Sequence, residues 1–118
     1  MLFKKENYQI KSNSMGFYQD LEHLDGIGIS AISANLYENK KRDDLVLFYF
    51  RNGASYATVY TQSNIRSENI KWNINNSKDI IYGLLINTRN ANAFTGKDGY
   101  KSVNNIALML SDLLSKKQ

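Results

Sequence analysis

Apolar and polar positions follow two different periods along this chain, and the change from one to the other marks its elements. From Gly26, "GIGISAISANLY" sets Ile27, Ile29 and Ala31 against smaller partners, the period-two pattern of a strand with one covered face. "LVLFYF", residues 45–50, is an unbroken apolar run and predicts a strand buried on both faces. Asn52-Gly53 behind it is a hairpin signal. "ASYATVYTQS", residues 54–63, is β-branched and tyrosine-rich and predicts a third strand. "IIYGLLIN", residues 80–87, is apolar throughout and predicts a fourth, central one. Between these, residues 64–79 carry Ile65, Ile70 and Trp72 on a polar background and read as a short helix followed by a loop. In the tail the period lengthens: Val103, Ile106, Ala107, Leu110, Leu113 and Leu114 fall on one helical stripe, which predicts an amphipathic helix packed on the sheet. Its closing "SKKQ" sets lysines where the helix dipole favours cations. Residues 1–25 keep no period and read as an extended lead-in; 118 residues suit one domain.

The junction between the last strand and the last helix, "NTRNANAFTGKDGYKS", is the stretch with candidate chemistry. A helix N-terminus presents unpaired N–H groups and partial positive charge. Thr95 with Asp98 three residues on fits a variant capping pattern, and Gly96 admits close approach to the first turn. Asn87, Asn90 and Asn92 are suited to satisfy loop backbone groups, with Ala91 and Ala93 keeping the loop thin. The residues alone leave two readings open, a capped connection or a site for an anion or developing oxyanion.

Charge and composition narrow the alternatives. The net charge is +4 with a pI near 9.3, but the basic residues form separate clusters at turns and ends, and only four of fifteen are arginine. That distribution argues for solvated surface and against a nucleic-acid interface. The absence of cysteine removes disulfides, zinc-thiolate sites and cysteine nucleophiles, and is compatible with a reducing cytoplasm. Nothing resembles a secretory signal or a membrane span. His23 stands among Asp20, Glu22 and Asp25 without metal-ligand spacing, so no metal is expected. Asp43-Asp44 reads as a solvated turn.

"LLINTRNANAFTGKDG" resembles the signature "NxGNANAxTG" of the ornithine acetyltransferase family, also called glutamate N-acetyltransferase or ArgJ. "GIGISAISA", "RDDLVLF" and "ATVYTQS" resemble, in order, its opening strand, its second strand and its "AxVFTxN" segment, so that the resemblance runs over about residues 16 to 114. It implies an α/β fold of the α+β type, a layered αββα sandwich of largely antiparallel strands with a C-terminal amphipathic helix, incomplete here. Residues 1–118 would be a single domain, the N-terminal portion of the family's α-chain, completed by the rest of that chain and a β-chain in a hetero-oligomer. The implied reaction is cytoplasmic: acetyl passes from N-acetylornithine to glutamate through an acetyl-threonine enzyme. No cofactor is needed, with acetyl-CoA as a second acetyl donor in some members. Thr95 and Gly96 carry over as the oxyanion hole, with Asn87, Asn90 and Asn92 supporting the loop. Arg89 departs from the pattern, where the family commonly has glycine. None of Thr58, Thr61, Thr88 and Thr95 has the family's Ala-Thr-Met-Leu-like cleavage context, so no nucleophile is expected in this chain. The alternative is a non-catalytic anion-binding module, or an inactive remnant, built on the same helix terminus.

Overall fold

A computed structural model of the chain describes residues 24–115. His23, most of the lead-in and the "KKQ" lysines lie outside the described residues. Five elements follow in the order β1 (Ile27–Ile32), β2 (Leu45–Ser55), α1 (Glu68–Asn76), β3 (Ile80–Asn87) and α2 (Gly96–Ser115). The strands form one antiparallel sheet in the order β1-β2-β3, an α+β arrangement with the "LVLFYF" run at its centre.

The register sorts the apolar residues onto two faces. Leu47 pairs with Ser30 and Leu85, and Tyr49 with Gly28 and Gly83, so these share one face. There α2 crosses β3 at Gly83, where an added Cβ would lie 3.0 Å from Leu114 Cδ1 and 3.8 Å from Leu110 Cδ2. A side chain at position 83 would crowd Leu114, which would have to shift to admit it. Helix α1 packs on α2, with Trp72 Nε1 donating to Asn104 Oδ1 at 3.1 Å and Asn75 and Asn76 reaching the Tyr100 hydroxyl. Ser67 caps α1 by accepting from the Ile70 N–H.

The opposite face carries Ile27, Ile29 and Ala31 of β1, Val46, Phe48 and Phe50 of β2, and Leu84 and Ile86 of β3. No described element lies on it. Two expectations therefore change. The apolar run of β3 belongs to an edge strand, with Ile80, Tyr82, Leu84 and Ile86 turned outward and 43–51% exposed. β2 is central but half-buried, and no apolar side chain among the described residues is fully buried. An unbroken apolar run marks surface that is to be covered; it does not tell which element covers it.

The third strand does not form: only Ala54 and Ser55 are extended, as the end of β2, and Val59 is 98% exposed. β-branched residues favour a strand only beside a pairing edge, and no described strand runs beside residues 56–63. Asn52-Gly53 makes no hairpin either. Tyr49 pairs with Gly83 and Ala54 with Ile81, so Phe50–Gly53 bulge opposite Tyr82, and Gly53 takes φ +75°. The positive φ that a hairpin would use is spent on an irregularity inside one strand.

Helix α2 forms as its periodicity predicts, but the stripe divides. Val103, Ala107, Leu110 and Leu114 are half-buried, whereas Ile106 and Leu113 are exposed beside Leu108 and Met109. Asp44 is also corrected: it is 1% exposed, not a solvated turn residue. Its carboxylate accepts the N–H groups of Ala34 at 2.6 Å and Leu36 at 2.9 Å and so organises the β1–β2 connection.

Candidate functional site

The segment between β3 and α2 is built as a sequence of tight local bonds. Thr88 N–H donates to Asp44 O, Asn90 N–H to Thr88 O, and Ala91 N–H to Arg89 O. Arg89 and Phe94 both adopt positive φ, +74° and +59°, as does Gly96 at +59°. For Arg89 this is the conformation that glycine adopts freely, so the chain keeps a glycine-type backbone with a larger residue on it. The Phe94 ring is 85% exposed beside Thr95.

The three candidate asparagines have different positions. Asn87 Nδ2 donates to Asn90 O at 3.2 Å, closing the loop upon itself. Asn90 takes part through its backbone. Asn92 is the hub. Its carbonyl accepts the Glu68 N–H at 2.8 Å, which ties the start of α1 to the loop. Its Nδ2 donates to Asn69 Oδ1 at 3.1 Å and Gly99 O at 3.0 Å, and its Oδ1 accepts the Thr95 hydroxyl. Gly99 is buried under this network, where an added Cβ would lie 2.5 Å from Asn92 Oδ1. Asn69, Glu68 and Gly99 were not distinguished by the sequence, because their roles depend on α1 docking against the loop rather than on local spacing.

Thr95 and Gly96 stand exposed at the start of α2. An added Cβ at Gly96 would meet nothing within 4 Å, so the chain is uncrowded on that side of the residue. The N–H groups of Gly96, Lys97 and Asp98 have no acceptor among the described residues, whereas Gly99 N–H reaches Thr95 O. Thr95 does not cap the helix with its side chain, as the Thr-x-x-Asp spacing led one to expect. A carbonyl oxygen only accepts, so the bond to Gly99 O fixes which end of the Asn92 amide carries NH2. Asn92 Oδ1 therefore faces Thr95, and the hydroxyl must give its proton to it. The donor standing free is the backbone, and the hydroxyl joins it only by leaving Asn92. Such a set suits an anion or a carbonyl oxygen gaining negative charge. Among the described residues no cluster of ligating side chains could hold a metal ion, and no helix is long and apolar enough to cross a membrane.

Arg89, the departure from the family pattern, lies on the surface. Its Nη1 donates to Leu36 O at 2.7 Å and its guanidinium lies over the Tyr37 ring.

Fold and site together define an α+β chain whose strand–loop–helix junction offers open backbone donors. The model of the ArgJ family matches residues 29–118, and the chain belongs to that family. The arginine biosynthesis bifunctional protein ArgJ of Bartonella henselae is 33% identical over 101 residues, covering 85% of this chain and 24% of that protein. Its counterpart from Zymomonas mobilis is 34% identical over 96 residues, 80% of this chain and 23% of that one. The crystal structure of the Bacillus halodurans protein of the same name superposes with a TM-score of 0.59 at 26% identity, over 65% of this chain and 40% of that one. The chain thus spans about a quarter of the length of these curated relatives.

Proposed function

We propose that this chain supplies the oxyanion hole of an arginine-biosynthesis N-acetyltransferase that moves acetyl from N-acetylornithine to glutamate. The observation that carries the reading is the Gly96 N–H, without an acceptor among the described residues, next to the Thr95 hydroxyl in the Thr-Gly pair of the motif that the sequence resembles. A threonine oxygen attacks the acetyl carbonyl carbon, the amide C–N bond breaks, and ornithine leaves with the proton. The glutamate amine then attacks the acetyl ester and frees the threonine. In both steps the carbonyl oxygen becomes an oxyanion, which Gly96 N–H and the released Thr95 hydroxyl stabilise. The attacking threonine comes from outside these 118 residues, on a polypeptide that also covers the open sheet face; acetyl-CoA would serve as an alternative donor without a bound cofactor.

Activity should appear when the chain is co-expressed with a polypeptide that continues the family pattern through the Ala-Thr-Met-like site, and be absent from the chain alone. Ornithine release measures it. Turnover by residues 1–118 alone would require a nucleophile within them, and a complemented enzyme indifferent to Thr95→Ala would leave the oxyanion role unsupported. A module that binds anions without chemistry would show neither activity.

A further inference from the structure

Helix α1 carries none of the oxyanion donors, yet its first turn grips one residue of the loop at two points. The Glu68 N–H donates to Asn92 O at 2.8 Å, and Asn69 Oδ1 accepts from Asn92 Nδ2 at 3.1 Å. The helix brings its own anchorage to this grip. Trp72 Nε1 donates to Asn104 Oδ1 of α2, and Ser67 caps the first turn through the Ile70 N–H. Asn69 itself is half-buried.

A primary amide has two N–H donors and one carbonyl. The Asn92 donors go to Gly99 O at 3.0 Å and to Asn69 Oδ1, one acceptor on α2 and the other on α1. Because Asn92 turns its NH2 to Asn69, the Asn69 amide must answer with its oxygen. The Asn92 amide is planar, so tethering both N–H groups also fixes Oδ1, the acceptor of the Thr95 hydroxyl. Gly99 O alone would leave that plane free to pivot about one bond. The backbone bond from Glu68 already holds α1 against the loop. What the Asn69 side chain adds is direction.

We propose that Asn69 is a positioning residue of the oxyanion hole, acting through Asn92 on the Thr95 hydroxyl; the proposal rests on the acetyl-transfer reading. At rest the relay Asn69–Asn92–Thr95 holds Thr95 Oγ1 in one place. As the oxyanion forms, rotation about Cβ–Oγ1 turns the proton to it, while the oxygen stays where Asn92 has set it. A donor serves a developing charge only from the correct position, and it costs nothing at that moment if it is already there. Losing Asn69 therefore raises the barrier without touching what holds the substrate in its ground state.

The test is a double-mutant cycle in the complemented enzyme. Asn69→Ala should lower kcat roughly tenfold with KM within about twofold, a smaller loss than at Thr95→Ala because the bond to Gly99 O remains. Asn69→Asp keeps an acceptor oxygen for Asn92 and should recover most of that loss. Alanine suits a helix by propensity and aspartate suits a first turn by the helix dipole, so both variants keep α1 folded. The deciding measurement is Asn69→Ala in a Thr95→Ala background. With no hydroxyl left to place, it should change kcat by less than about twofold. An asparagine that merely holds the fold would cost the same in both backgrounds, and that result overturns the proposal. A slow Thr95→Ala enzyme beside an Asn69→Ala enzyme of normal kcat overturns it alone. A Thr95→Ala enzyme of normal kcat removes the oxyanion reading, and the relay falls with it.

Discussion

At position 89 a side chain's contacts are set against the strain of its own backbone. Positive φ costs an ordinary residue roughly 1–2 kcal/mol. In exchange Arg89 makes a hydrogen bond worth about 0.5–1.5 kcal/mol and an exposed cation–π contact of about 0.5–1 kcal/mol. Arg89→Gly gives up both contacts but relieves the strain, and should change stability by less than about 1 kcal/mol. Arg89→Ala gives up the contacts and keeps the strain, so it should be the less stable of the two by about 1 kcal/mol. Urea unfolding of the pair decides, and an alanine variant as stable as the glycine one would show that the backbone there is unstrained. Thr95 presents a different balance. Its proton is committed to Asn92 at rest, so what it contributes arises only as the oxyanion forms. In a complemented enzyme Thr95→Ala should lower kcat by roughly 100- to 1,000-fold with KM little changed. A tenfold rise in KM at unchanged kcat would make it a ground-state contact instead. The Thr-Gly pair and its position at a helix start were legible in the sequence, because both are local. That the hydroxyl points to Asn92, and Asn92 to α1, was not, because Asn69 and Gly99 reach the loop only through tertiary docking.

Among the elements, α2 was the most legible and the best placed for a test, since an apolar stripe at 3.6-residue spacing fits neither a strand nor a turn. What the stripe could not tell is how far each residue is covered. Leu110 meets the sheet at Gly83, whereas Leu108, two positions away, is 62% exposed. Leu110→Asp removes part of a half-buried side chain and sets an unpaired charge against β3, and should cost about 2–3 kcal/mol. Leu108→Asp should cost less than about 0.5 kcal/mol. Equal effects in a denaturant titration would mean that α2 is not seated on Gly83. The strands were legible as apolar runs but not in their order, because central and edge strands differ in partners rather than in composition. Residues 56–63 show the same limit: Tyr56, Thr58 and Tyr60 fit a pleated surface, yet lack a neighbouring strand.

For the whole molecule, the sheet is covered on one face and open on the other. Ile29, Leu84 and Ile86 stand 43–55% exposed around the half-buried Val46 and Phe48, across all three strands. Contiguous exposed apolar surface drives association. The chain spans about a quarter of its curated relatives, so the remaining polypeptide is the natural source of a cover. Without one, the 118-residue chain should self-associate in sedimentation at micromolar concentration. A second exposed strip, Leu108, Met109 and Leu113 on α2, competes as the cause. Lysine at Leu84 and Ile86 charges the edge of the sheet face without filling any packed space, the means by which natural edge strands avoid pairing. That double variant should restore a monomer while holding its melting temperature within a few degrees. Lysine at Leu108 and Met109 should leave the association in place. If the helix variant alone dissolves the assembly, the contact surface is α2. If the unaltered chain is already monomeric, the open face is not adhesive, and the need for a covering polypeptide loses its physical ground.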